Sequence, residues 1–195
     1  MNFLAHFYLS SGSETMIVGS FLGDFVKGDL RKAASPYQEG IRLHRTIDAT
    51  TDAHPAVKRS KARLLPSAGH YSAVLVDVFY DHLLASTWER WSHEPLETFA
   101  QRVYHTLTNH RAELPDVARW VADNMREDDW LTSYREIGGI HTALEKMSRR
   151  LKRPFALHSA TPILERDRLS FLQEFEEVFE NLRALAPFSR TRSRD

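Results

Sequence analysis

The chain contains no cysteine. That excludes disulfides, thiolate metal sites and a cysteine nucleophile, and it fits a reducing compartment. Net charge is also absent, because 26 Lys and Arg balance 26 Asp and Glu. Any attraction to nucleic acid, to a membrane surface or to a charged protein must then come from local patches. No uncharged run approaches the roughly 18 residues that span a bilayer. The N-terminus lacks a basic segment followed by an apolar stretch and a cleavage site, so the expected location is the cytoplasm. Repeats, linkers and low-complexity blocks are missing too. The expectation is one domain over residues 1–187, with 188–195 as a flexible tail. One residue type is in excess: ten histidines, the side chain most used for metals and for proton transfer near neutral pH.

Helical periodicity dominates, and no alternating strand pattern interrupts it, which predicts an all-α fold. Helices are expected over residues 14–26 with Ser13 as N-cap, over 36–52, and from Pro55 onward until Pro66 and Gly69 break the chain. Further helices are expected over 71–88, 95–110, 115–125 and 140–151. Gly138 and Gly139 read as a hinge before the last of these. An amphipathic helix over 161–185 sets Phe171, Phe175, Val178, Phe179 and Leu182 against Glu174, Glu177 and Glu180 on its opposite face.

Several carboxylates stand where core residues belong. Residues 73–85 (AVLVDVFYDHLLA) are apolar on nearly every side, yet Asp77 and Asp81 interrupt them four apart. Both project from one helical face and repel each other, so a positive group is required: an arginine, a protonated histidine or a metal ion. Asp24 repeats the anomaly among core-type neighbours at a helix end, where an acid opposes the macrodipole. Gly19 and Gly23 leave that helix a smooth strip for another backbone. His44 and Asp48 form a further i,i+4 pair, able either to hydrogen-bond each other or to hold one divalent ion. His6 is placed ahead of the first helix, and Asp52 and His54 flank Pro55 as capping candidates. Oxygen and imidazole donors without sulfur suit Mn²⁺, Mg²⁺, Fe²⁺ or Zn²⁺. Such an ion makes hydroxide from water and offsets charge on a phosphoryl or carbonyl oxygen.

The motifs MNFLAH (1–6), GDFVKG (23–28), HRTID (44–48), TDAHP (51–55) and DVFYDHL (77–83) together resemble the acyl carrier protein phosphodiesterases. Order and spacing match from the first residue to at least Trp88. Ser20 stands where many relatives are expected to have Asn, which bears on one local hydrogen bond. The resemblance implies a helical fold distantly related to the HD phosphohydrolases and an Mn²⁺-dependent hydrolase, with Mg²⁺ or Fe²⁺ as alternatives. It also implies the substrate, the phosphodiester between phosphopantetheine and a serine of holo acyl carrier protein.

On that basis Asp24, His44, Asp48, Asp77 and Asp81 are the expected metal set, and His82 or His6 the proton donor to the leaving serine oxygen. Arg45 is a candidate phosphate ligand. Because acyl carrier proteins are acidic, Lys58, Arg59, Lys61 and Arg63 are expected to form a docking patch, with Arg31–Lys32 and the run Arg149, Arg150, Lys152, Arg153 as further basic surface. No nucleic-acid or membrane partner is expected, and the oligomeric state is open. Two other readings stay compatible: an HD-like nucleotide phosphohydrolase, and a helical module that binds a carrier protein without catalysis.

Overall fold

A computed structural model describes residues 1–30 and 34–185. Its α-helices are α1 (Phe3–Leu9), α2 (Glu14–Leu22), α3 (Gln38–Ala53), α4 (Pro55–Ala68), α5 (Ser72–Ser86), α6 (Leu96–Asn109), α7 (Asp116–Glu127), α8 (Trp130–Ser133), α9 (Ile137–Ser148), α10 (Thr161–Arg166) and α11 (Arg168–Leu185). The described residues contain no strand. The fold is all-α, as the periodicity predicts. No helix is long and apolar enough to cross a membrane among the described residues.

Helix α5 is the axis of the structure. Leu75, Val76, Phe79, Tyr80, Leu83 and Leu84 are fully buried around its circumference, and α1, α4, α9 and α11 pack against it. A helix that is apolar all round is stable only when enclosed in this way. From α11, Phe171, Phe175 and Phe179 enter the same core, Phe175 and Phe179 stacking at 5.0 Å.

Helices α2 and α3 pack closely. A Cβ on Gly19 would stand 2.5 Å from the Tyr37 carbonyl oxygen and 2.9 Å from Gly40 Cα; one on Gly23 would stand 2.2 Å from the His44 ring. The glycine strip thus lets α3 lie directly on α2 and leaves room for the His44 imidazole. Ser13 caps α2 by accepting from Met16 N, and the His54 ring accepts from Ala56 N at the start of α4.

Several expected boundaries move. His6 does not precede the first helix: it lies inside α1, seven residues whose start has no local side-chain cap. Pro66 sits within α4 rather than ending it, and both it and Ala62, whose carbonyl loses its helical donor, are exposed. The break comes at Gly69, whose φ of +54° suits glycine. Gly138 and Gly139 occupy the first turn of α9, not a hinge before it, because a Cβ on Gly139 would strike the Ser133 carbonyl oxygen at 1.9 Å. The expected C-terminal helix is divided at Asp167, which ends α10. Glu174 is buried, not on a solvated face: it accepts from Ser60 Oγ at 2.5 Å and from Arg63 at 2.7 and 3.1 Å. The expected tail, 188–195, lies outside the described residues.

Candidate functional site

Three side chains from α1 and α3 converge. His6 Nε2 lies 3.0 Å from Asp48 Oδ1, and His44 Nε2 lies 3.1 Å from Asp48 Oδ2. The two imidazoles stack with centroids 3.9 Å apart and planes inclined by 17°. Ligand atoms of His6, His44 and Asp48 all fall within 4.8 Å of one another, which among the described residues is the one group of three such side chains close enough to share an ion. Asp24, just past α2 and exposed, brings Oδ1 to 3.7 Å from His44 Nε2. Beside this cluster a cavity of about 230 Å³ is lined by Asp24, Asp48, Asp52, Asp77, Asn2 and Thr51.

The electrostatics of the cluster follow from burial and pairing. Burial disfavours the His6 cation, and although Asp48 pulls the other way, the His44 charge adds to burial and the ring is pushed down to about 4. His6 is therefore neutral at pH 7 and offers a lone pair without competition from a proton. Burial alone would raise Asp48, but hydrogen bonds from His44 and His6 overrule it and hold the carboxyl well below the usual range. Desolvation, with Asp48 adding to it and His44 opposing, holds Asp24 above its ordinary value.

A cation fits this donor set. His6 Nδ1 and His44 Nδ1 are both buried with no hydrogen-bond partner. If each ring donates Nε2–H to Asp48, both Nδ1 lone pairs are stranded; if the protons sit on Nδ1, two Nε2 lone pairs face an anion. A cation between the Nε2 atoms and the carboxylate removes the second conflict. Of the carboxylates around the small cavity, Asp77 is paired with the Met1 ammonium and Asp52 with Lys61, which leaves Asp24 and Asp48 with the same sign of demand.

Other expected site residues are placed elsewhere. Asp81 is fully buried, and its two oxygens accept the Leu4 and Ala5 backbone N–H groups at 2.7 and 3.1 Å. Burial raises its carboxyl to about 7 against the pull of those amides. Asp81 thus caps α1 from the far side of the chain, and the N-terminal end of that helix answers the positive demand inferred for it. Asp77 does line the acidic cavity, but its positive partner is the Met1 ammonium at 2.8 Å. Burial opposes that charge, and Asp77, then Asp48 and Asp81, hold it above its ordinary value. His82 joins its Nδ1 to the Tyr134 carbonyl at 2.8 Å and does not line the acidic cavity.

The expected anion-binding residues are mostly engaged. Arg45 donates to the Val26 and Gly28 carbonyls at 2.8 and 2.9 Å, pinning the chain after α2. Arg59 pairs with Glu177, Lys61 with Asp52 and Arg63 with Glu174. That face is charge-balanced rather than basic, and Lys58 alone of the four has no ion pair among the described residues. Arg31 and Lys32 lie outside the described residues. Arg149 is paired with Glu145, whereas Arg150 lies over the Trp120 ring at 4.6 Å. Ser20 Oγ donates to the His6 carbonyl at 3.5 Å, a long contact behind the stacked rings.

A second depression, of about 540 Å³, runs between α9 and the start of the chain and was not legible in the sequence. Asp24 and Asn2 line both it and the acidic cavity. Lys146, at its edge, pairs with Asp128 at 2.6 Å.

Comparison with known proteins agrees with the motifs. Residues 1–182 match the family model described as acyl carrier protein phosphodiesterase. The chain is 29% identical over 188 residues to the acyl carrier protein phosphodiesterase of Pectobacterium atrosepticum, covering 95% of this chain and 97% of that one. It is 32% identical over 162 residues to the protein of that name from an Enterobacter species, covering 82% and 84%. The corresponding Photorhabdus laumondii protein is 27% identical over 173 residues, covering 88% and 87%. No solved structure matches. With its family model matched over nearly all its length, the chain belongs to the acyl carrier protein phosphodiesterase family.

Proposed function

We propose that this protein is a divalent-metal-dependent phosphodiesterase that cleaves the bond between phosphopantetheine and serine in holo acyl carrier protein. The products are apo carrier protein and 4′-phosphopantetheine. The observation that carries the reading is the shared wall: Asp24, beside the His6–His44–Asp48 cluster, also lines a groove of about 540 Å³. His6, His44, Asp48 and Asp24 hold the ion in this reading, and Asp77 contributes charge from the cavity wall. Imidazole and carboxylate donors suit Mn²⁺, with Mg²⁺ or Fe²⁺ as alternatives. Such an ion, when bound, would lower the pKa of water toward neutral pH and offset negative charge on the phosphoryl oxygens.

The chain's own groups then set the geometry. His6 and His44 hold Asp48 by both its oxygens, so the carboxylate is fixed before substrate arrives. Neither histidine expected as proton donor is suited to it. His6 is neutral at pH 7 and is one of the groups that hold the ion in this reading, and His82 is turned to the Tyr134 carbonyl. Protonation of the serine oxygen falls to solvent or to another group of the acidic cavity.

The decisive experiment incubates holo acyl carrier protein with the protein and Mn²⁺ and follows the carrier by mass spectrometry. The expected result is loss of the phosphopantetheine mass, abolished by a chelator. An unchanged carrier, or hydrolysis of nucleotides instead, would overturn the reading. Metal-free protein that still captures the carrier would identify a non-catalytic binding module.

A further inference from the structure

The groove beside the metal cluster has walls of two kinds. Phe3, Phe25, Trp130 and Met147 give it apolar surface, while Ser133 and Thr142 set hydroxyls among them. Each of those hydroxyls donates to a carbonyl of its own helix, Ser133 to Trp130 at 2.8 Å and Thr142 to Gly138 at 3.0 Å. Their oxygen lone pairs remain able to accept. A purely lipid groove has no use for such acceptors, nor for the Asn2 side chain that also lines it. A narrow chain that alternates methylene segments with amide N–H groups matches both walls.

The volume of about 540 Å³ is that of a small-molecule site. Asp24 lines the groove and has its carboxyl 3.7 Å from His44 Nε2, so a phosphate at the cluster places its attached chain beside the groove. Arg150, which also lines the groove, adds positive charge: it lies over Trp120 at 4.6 Å without a carboxylate partner among the described residues.

We infer that this groove is the binding subsite for the amide-bearing pantetheine arm, with the phosphate at the Asp24 end and the thiol toward Met147. This deepens the proposed function and rests on it for the direction in which the arm lies. The groove is specific for the arm, and the metal cluster for the phosphate.

Gly138 makes the inference testable. It lines the groove in the first turn of α9, and a Cβ built on it meets no atom within 4 Å. Gly138→Phe therefore fills the groove with no clash at its attachment point, and Thr142→Trp, one turn later, fills it from a second position. The Mn²⁺-loaded protein is titrated by calorimetry with 4′-phosphopantetheine, inorganic phosphate and a medium-chain fatty acid, and thermal melts confirm that each variant folds. The expected wild-type result is phosphopantetheine binding at least about tenfold tighter than phosphate. In both filled variants that advantage falls to less than about twofold.

The same advantage in the filled variants, no advantage in the wild type, or binding of the fatty acid in place of phosphopantetheine would each overturn the inference. Arm binding that disappears on filling, in a protein that leaves holo carrier protein uncut, keeps the subsite and removes the proposed reaction. The two failures are therefore distinct.

Discussion

His6 and His44, 38 positions apart in sequence, stack their rings at 3.9 Å and turn both Nε2 atoms to the two oxygens of Asp48. Two buried imidazoles gain little from stacking when each leaves a buried nitrogen without a partner. The arrangement makes physical sense as a preformed donor set, and its consequences are measurable.

Removal of a donor should weaken metal binding. His6→Ala, His44→Ala and Asp48→Asn are expected to lose at least about tenfold in Mn²⁺ affinity, since even outer-shell changes have effects of that size. Asp24→Ala should abolish turnover while helical circular dichroism survives. Electron paramagnetic resonance of free Mn²⁺ measures the first effect. Wild-type affinity in all three donor variants would rule out this cluster as the metal site.

Asp81 should behave differently. Asp81→Ala strands two buried N–H groups at the start of α1, a loss of about 3 kcal/mol in unfolding free energy. The urea midpoint is expected to fall sharply. A variant with wild-type stability but no activity would instead make Asp81 a direct participant.

Acid should destabilise the metal-free protein through His6. Its folded value, about 4, lies below its ordinary 6.5, so between these pH values the unfolded chain binds more protons. Stability present above pH 6.5 is then lost as pH falls toward 4, by on the order of 3 kcal/mol. His6→Asn should flatten this part of the profile of urea midpoint against pH. A wild-type slope that persists in the variant assigns the effect to other groups.

The adjacent glycines of α9 should respond in opposite directions. Gly139→Ala forces a Cβ against the Ser133 carbonyl and is expected to cost about 3 kcal/mol or more. Gly138→Ala meets open space and should stabilise the helix by up to about 1 kcal/mol. Thermal melts of the two variants give the comparison, and equal shifts would contradict the packing described between α8 and α9.

Docking of an acidic carrier should depend on Arg150 rather than on the face of α4. Arg150→Glu is expected to raise KM for holo carrier protein at least about threefold, an effect that shrinks with added salt. Lys61→Glu, on the charge-balanced face, should change KM little. A reversed ranking in steady-state kinetics would move the docking surface to α4.

What the sequence made legible follows from which interactions are local. The i,i+4 spacing of His44 and Asp48 places them on one face of α3 without any tertiary information. The Gly19–Gly23 strip likewise implies a close neighbour, which is α3. Asp81 shows the opposite case. Burial and spacing identify a carboxylate in need of positive partners, but a metal ion and the start of a helix 76 residues away satisfy that need equally. Helix α1 is invisible for the same reason, since its cap is supplied from α5. The groove depends on α8, four residues long, and on a glycine pair whose role is close packing rather than a turn.

The capping of α1 by Asp81 also has a consequence in time. Seven residues with no local cap do not hold a helix in water. During synthesis His6 therefore leaves the ribosome early but gains its place only after α5 has been made and folded. A nascent chain that stops before Asp81 has both histidines and Asp48 in its sequence, yet no centre to bind an ion. Under the proposed function, metal uptake is thereby tied to the completion of the helical core.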